Sequence, residues 1–395
     1  MNTFLQIKLL TIKNSIKLSN YILLILFFTL FFSNSVFCEI KNIKILPSKI
    51  NDIININVKE SFSYSGLASF YNKVEAYIVS NDKIERIEND NFYNLTPSQT
   101  LAIIGHHKII VINNLNITIA FEESKIIWQK ANFDNEKLDE IDLEAKLLLK
   151  SDLNYLSAKF QKLRYPHLWE PFRLICIYIE TILIWLNSLH SFGWGITIIM
   201  LSLIFKIFIL PINILLIFSQ RKVSYIQVSL SSELKNIKSN FSGEEAHNKF
   251  MMAHRAKGVT PYYSLRPLFL TLFPIPIFIA IFNVLGEIDL IQGHSFFWIK
   301  DLAYPDAIFY VGSNFPLLVS SINLLPILMT ILSIFGTYFL QNKIISINAL
   351  GKQKFNLYLI SFGFLFLFYP FPSAIVLYWT FNNIWHVIQQ SFFKI

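Results

Sequence analysis

The sequence predicts an all-α polytopic membrane core, five core helices plus an N-terminal signal or anchor helix, carrying a mainly β extracytoplasmic domain. Three observations predict it. The 395 residues are 53% hydrophobic and 15% charged, with 38 Phe against 12 Gly, and the apolar excess gathers in long runs that suit bilayer spans better than one large soluble core. A polar, Asn- and Lys-rich stretch at 39–165 contains no run long enough to span. The net charge of +8 sits in particular short loops, where basic residues mark the cytoplasmic side. Nucleic-acid binding is a poorer account of that charge. Two cysteines, Cys38 and Cys176, allow one bridge at most and support neither a disulfide framework nor a cysteine-based zinc site.

Residues 1–38 form the targeting segment. Lys8, Lys13 and Lys17 precede an apolar run at 21–32, followed by Ser33, Asn34, Ser35 and Cys38. The basic flank keeps the N-terminus in the cytoplasm; the run itself fits a cleavable signal peptide, and extended to Phe37 it makes a signal anchor. Both readings stay open. Cys38 invites lipidation, although Phe37 before it is bulkier than such a site normally holds.

Residues 39–165 read as the β domain. Short β-branched pieces at 53–58, 74–79, 108–111 and 116–121 predict strands. Between 135 and 163 the spacing of Leu138, Ile141, Leu143, Leu147, Leu148, Leu153 and Leu156 predicts a helix leading back to the membrane. Gly105-His106-His107 reads as a solvated loop end, since adjacent histidines on a strand face opposite ways and cannot share a metal. The acidic residues Asp139, Glu140, Asp142 and Glu144 alternate with Ile141 and Leu143 and read as a solvated helix face.

Residues 166–192 predict an interfacial helix: 168–189 is densely apolar, yet Glu170, Arg173 and Glu180 interrupt it, and Trp169 and Trp185 stand near its ends. The core follows, at 193–395. Its first span, 194–218, carries Lys206 about 18 Å from either end, farther than a lysine stem can snorkel. A charge at that depth costs about 2.5–3.5 kcal/mol and marks a functional pathway or a paired interior site. In the bland alternative, Pro211 and Asn213 end the span early and Lys206 is an interfacial anchor, but Asn187, Ser188 and His190 must then enter the bilayer.

A cytoplasmic helical hairpin is predicted at 219–263. Val223, Ile226, Leu230, Leu234 and Ile237 recur at helical spacing; 239–243 supplies the turn, and Ser242 with Glu245 has capping-box spacing for a second helix that Gly258 and Pro261 end. Arg221, Lys222, Lys235, Lys238, Lys249, Arg255 and Lys257 make it basic, which suits a topology determinant as well as a docking surface. Four further spans are predicted at 267–285, 315–340, 355–371 and 373–393, the first bent by Pro274 and Pro276. The outer loop 286–314 carries Glu287, Asp289, Asp301 and Asp306 against Lys300, and the inner loop 342–354 carries Lys343, Lys352 and Lys354 without acids. Charge and span count thus predict the same topology, with both termini cytoplasmic if the N-terminal segment is retained.

At this point the residues resemble the YidC family of membrane-protein insertases, over roughly 168–393. The ordered signatures are Leu189-His190-Ser191-Phe192; a basic residue at 206 followed by Pro211; Pro276-Ile277-Phe278; Phe297-Trp298-Ile299 with Asp301-Leu302; Leu325-Pro326-Ile327-Leu328; and Phe371-Pro372-Ser373 leading to Val376-Leu377-Tyr378-Trp379. The resemblance implies a five-helix core enclosing a hydrophilic groove, open to the cytoplasm and to lipid, in the bacterial inner membrane. It implies three substrate-groove residues: Lys206, where the family more often has arginine, Ser202 one turn before it, and Trp379 in the last helix. Pro274 stands where well-known members have a glutamine. The implied partners are nascent membrane proteins and the lipid bilayer, with a ribosome or Sec-type translocon as further candidates; a ribosome would meet the 219–263 hairpin. No catalytic residue, cofactor or metal is implied, and the chain has no phosphate-cradling Gly-rich loop ending in Lys-Ser or Lys-Thr. Two rivals come from other classes. One is a small-solute or ion transporter using Lys206 as counter-ion, which would normally bring internal repeats. The other is an intramembrane protease enlisting His190, Ser202 and His386.

Overall fold

A computed structural model describes residues 41–45, 50–59, 62–80, 83–89, 91–113, 118–122, 125–129, 143–156, 158–310, 321–338 and 347–393. The segment 1–38, expected as a signal or anchor, and the acidic residues 139, 140 and 142 lie outside them. Among the described residues the first part of the chain forms nine strands: β1 (Lys41–Ile45), β2 (Glu75–Val79), β3 (Ile84–Arg86), β4 (Phe92–Asn94), β5 (Thr100–Ile104), β6 (Lys108–Ile112), β7 (Thr118–Glu122), β8 (Lys125–Gln129) and β9 (Leu143–Leu149). They pair antiparallel in two sheets, one of order β1-β9-β6-β5-β2-β3 and one of order β4-β7-β8. Ile103, Ile110, Ile112 and Ala145 of the larger sheet meet Ile119, Phe121 and Ile126 of the smaller. The opposite face, with Ala102, Ile104, Ile109, Val111 and Leu148, packs on Leu153 and Leu163 of the following connector. Burial on both faces explains why β5 and β6 read as unbroken apolar runs rather than alternating ones.

Two pieces of this domain differ from expectation, for one reason. Residues 143–149, expected in a helix, are the strand β9, lying between β1 and β6 with Leu147 opposite Ile110. Residues 53–58, expected as a strand, belong to a helical stretch at 50–58 whose Ile50, Ile54 and Val58 are fully buried at intervals of four. Short apolar segments buried all round lose the periodicity that separates helix from strand.

Eight helices longer than one turn or two follow among the described residues: α1 (Glu170–Ser188), α2 (Trp194–Asn240), α3 (Gly243–Ala256), α4 (Leu265–Leu272), α5 (Ile275–Glu287), α6 (Leu324–Tyr338), α7 (Ile347–Phe368) and α8 (Ser373–Phe393). Three stretches are long and apolar enough to cross a membrane: Glu170–Ser188, Trp194–Asn240 and Pro267–Glu287. Leu324–Tyr338 is a shorter apolar helix. The helix α8 packs against α2, α5 and α6, while α7 packs on α6.

The helix α2 departs most from expectation. It runs 47 residues without interruption, through Pro211, so the predicted span and the first helix of the predicted hairpin are one rod of about 70 Å. A proline costs a helical hydrogen bond, but inside a helical bundle its neighbours tolerate the loss. The rod turns at Phe241 and Ser242 into α3, and Ile226 and Leu230 meet Ala253 across the pair. Ser242 is the N-cap residue but makes no side-chain cap bond, so the capping box does not form. Gly258, at φ +66°, ends α3, with the Val259 amide donating to the His254 carbonyl at 3.1 Å.

At the far end, α4 and α5 part at Phe273–Pro274. Of the span expected at 315–340, residues 321–338 are described: Ser321–Asn323 is a strand, β11, paired with β10 (Ala307–Tyr310), and the helix α6 follows from Leu324. There the Asp306 carboxylate accepts the Leu325 amide at 2.7 Å and the Trp298 indole at 3.0 Å, an acid at a helix N-terminus. The loop 293–299 lies on the start of α2, where a Cβ on Gly195 would sit 2.1 Å from the Phe296 ring. Gly195→Ala is therefore expected to lower stability by about 1–3 kcal/mol through overpacking, measured as a fall in the unfolding midpoint in detergent.

The β domain is fastened to the helices by buried polar contacts. His106 and His107, expected in solvent, are 4% and 1% exposed, because the β5–β6 turn inserts into the junction instead of ending in water. His106 Nε2 meets the Gly286 carbonyl at 2.6 Å, Lys150 pairs with Glu287 at 2.9 Å, and the Ser151 hydroxyl donates to Asp289 at 2.6 Å. Deeper still, Arg164 of the connector pairs with Glu180 of α1, both 2% exposed at the side chain.

Candidate functional site

The apolar sequence of α2 makes it a helix that must bury or wet its few polar groups. Ser202 is fully buried, and its hydroxyl donates to the Ile199 carbonyl at 2.7 Å and accepts the Trp385 indole N–H at 3.0 Å. Lys206 lies one turn on, on the same face, and is half-buried. Among the described residues no carboxylate pairs with it, and His386 of α8 stands within its electrostatic reach. Ser202 thus meets Trp385 across the α2–α8 contact, with the Lys206 charge felt at His386 on the same pair of helices.

His386 also borders a cavity of about 270 Å³ among α6, α7 and α8. Its lining includes Ser333 and Thr337 from α6, Ser361 from α7 and Asn383 from α8, interleaved with Leu332, Leu357, Ile360 and Phe364. The Ser333 and Ser361 hydroxyls bond each other at 2.7 Å, and the Asn383 amide donates to the Met329 carbonyl at 3.3 Å. Buried hydroxyls bonded to helix carbonyls and to each other leave spare lone pairs toward the cavity, which water or a polar chain can use.

Trp379 stands apart from this group. It packs among Phe278 of α5 and Phe364 and Phe368 of α7, with ring centroids 5.4, 5.9 and 5.2 Å away. Six residues before Trp385, it faces about 120° round α8 from that side chain. The structure brings Ser202 and Lys206 together and sets Trp379 in an aromatic cluster on another side. His190, enlisted in the protease rival, sits at the start of α2, its Nε2 3.5 Å from Thr197 Oγ. Sequence reasoning missed Trp385, Asn383, Ser333, Thr337 and Ser361. The available signal was the density of Asn382, Asn383, His386, Gln389 and Gln390 in the last span, more polar groups than a lipid-facing helix carries.

The family model described as 60Kd inner membrane protein matches residues 185–395. The membrane protein insertase YidC of Leptospira interrogans serogroup Icterohaemorrhagiae serovar Lai is 29% identical over 240 residues, 60% of this chain and 36% of that protein. That of Chlorobium luteolum is 29% identical over 209 residues, 53% and 34% respectively. The Chlamydia muridarum counterpart is 29% identical over 237 residues, 57% and 28%. The matched stretch thus spans about a third of those relatives' length. Among solved structures, an active YidC insertase with its first transmembrane domain resolved is 13% identical and covers 80% of this chain and 82% of its own, with a TM-score of 0.37.

Proposed function

Because the chain belongs to the 60Kd inner membrane protein family, that of the YidC insertases, and is an inner-membrane multi-pass protein, we propose that it is a membrane-protein insertase and chaperone. It receives nascent hydrophobic segments in a hydrophilic groove and releases them sideways into the bilayer. The observation that carries this reading is the half-buried cation Lys206 without a carboxylate partner among the described residues, beside His386 on the rim of a polar-lined cavity. A purely structural strut would normally pair such a charge.

The mechanism follows from electrostatics and partitioning. The polar end of a client enters the wet space, so it crosses less hydrocarbon on its way out. Attraction to the Lys206 ammonium, strengthened by the low-dielectric surround, holds it there when it is acidic. The client's apolar segment then moves into lipid, where burial of some twenty apolar residues drives insertion. In this proposal Ser202 positions Trp385 beside the cation, and Trp379 gives the client's apolar part an aromatic wall with Phe278 and Phe364.

The architecture we assign is five core spans built on α2, α4–α5, α6, α7 and α8, with α1 lying in the outer interface. Contacts at both ends of α1 favour that placement: His167 just before it meets Asn283 near the end of α5, and Asn187 accepts from Thr197 in the first turn of α2. The β domain then faces outward and the α2–α3 hairpin inward. Its exposed Arg221, Lys222, Lys235, Lys238, Arg255 and Lys257 offer a basic surface to a ribosome or translocon.

The test is solvent access at the cation. In a chain whose native cysteines are replaced by serine, Lys206→Cys is expected to react with a membrane-impermeant thiol reagent added from the cytoplasmic side and not from the outside. Absence of labelling from either side would overturn the wet groove.

A further inference from the structure

The junction between the β domain and α5 contains a titratable group that the insertase reading does not use. His106, at the tip of the β5–β6 turn, is stacked between two rings: Tyr71 at 4.4 Å and His107 at 3.9 Å between centroids. Its Nε2 lies 2.6 Å from the carbonyl of Gly286, in the last turn of α5. A carbonyl can only accept, so Nε2 carries the hydrogen and the lone pair sits on Nδ1. That Nδ1 is buried and has no hydrogen-bond partner among the described residues. Gly286 makes the contact feasible, because a Cβ there would lie 2.0 Å from the Tyr71 hydroxyl.

We propose that His106 is an acid-released latch: as a neutral ring it holds the Gly286 end of α5 against the β domain, and on protonation it lets that end go. A second proton has nowhere good to go. It would land on Nδ1, inside the protein, without an acceptor, next to His107 and Lys150. The groups facing His106 from each packed element are few. From its own turn comes His107. From the connector comes Lys150, whose ammonium is committed to Glu287 at 2.9 Å. The 66–72 turn brings Tyr71, whose hydroxyl is itself unpartnered, and the edge of Tyr64 stands 5.3 Å away. Beyond Lys150, Glu287 also receives His167 at 3.4 Å. No carboxylate is placed to accept from Nδ1, so nothing local rewards the charged ring.

The sign follows from where the proton binds. Burial, together with His107 and Lys150, holds His106 well below its ordinary value. The latched state therefore favours the neutral ring, and its advantage is complete above about pH 6.5, the value for a free histidine, and falls as pH drops below it. For a latched ring that stays neutral to pH 5, the open population rises about 30-fold between pH 7.5 and pH 5. The latch does not depend on what passes through the helices. With the topology assigned above, the pH it senses is that outside the cell.

The experiment uses the full chain in lipid nanodiscs and follows hydrogen exchange, corrected for its intrinsic pH dependence, at the amides of Gly105 and Ile288, which bond Lys108 and Val284 carbonyls. In the parent, protection at both is expected to fall about 30-fold between pH 7.5 and pH 5. His106→Gln, whose amide nitrogen can still donate to Gly286 but does not titrate, is expected to remove that response, whereas His107→Gln and His167→Gln keep it. A parent flat in pH, or a His106→Gln chain that responds like the parent, overturns the latch. Nitrogen-15 shifts of the His106 ring supply a measurement free of any substitution: a neutral Nε2–H ring at pH 6 is expected, and a charged ring there overturns the proposal.

Discussion

Reversing the charge at Lys206 should cut the insertion of a single-span protein with an acidic outer tail at least tenfold. Two unit charges about 4 Å apart interact by about 4 kcal/mol at an effective dielectric constant of 20, and each 1.4 kcal/mol is a factor of ten. Lys206→Glu converts that attraction to repulsion and places a carboxylate near His386 and the α6–α8 cavity. Lys206→Ala should fall between, and Lys206→Arg should retain most activity, because a guanidinium supplies the same charge with more donors. The measurement is insertion yield in proteoliposomes, with a client carrying a neutral tail as control. Equal yields for the parent, Lys206→Ala and Lys206→Glu would remove the electrostatic role.

The second large effect concerns stability. Arg164→Ala, which takes the guanidinium from the buried Glu180 and leaves it the Tyr165 hydroxyl at 3.2 Å, should cost about 3–5 kcal/mol, and Glu180→Ala should cost about the same from the other side. Both side chains are 2% exposed, so neither can recover solvation without the structure opening. Replacing the two together by Met and Leu should cost far less, since the buried charges then leave as a pair. Chemical unfolding in detergent reads the three variants. Single variants within about 1 kcal/mol of the parent would mean that water reaches the site.

Lys206 could be found in the sequence because a lone charge in a long apolar run is improbable on energetic grounds, whatever surrounds it. Its neighbours could not. Trp385 and His386 come from the far end of the chain, and only the packing of α8 on α2 brings them to Ser202 and Lys206. The family motifs located Trp379, but its side of α8 depends on a rotation that no motif encodes. In the β domain, the strands at 74–79 and 108–111 were legible, while β9 and the helical stretch at 50–58 were exchanged in type, because burial on all sides erases the pattern. His106 and His107 read as a solvated loop end because adjacent histidines on a strand face opposite ways and cannot share a metal. The opposite outcome depends on α5 presenting the Gly286 carbonyl to that turn, a contact across 180 positions of sequence.

The unbroken course of α2 has a mechanical consequence. Because the helix is continuous from Trp194 to Asn240, the part that carries Lys206 and the part that pairs with α3 form the two arms of one lever. A tilt of about 5° around a point near Lys206 would swing the Asn240 end by about 4 Å, given some 50 Å of intervening helix. Whatever leans on the hairpin therefore also turns the face that presents the cation, to the extent that the turn around Pro211 transmits the tilt.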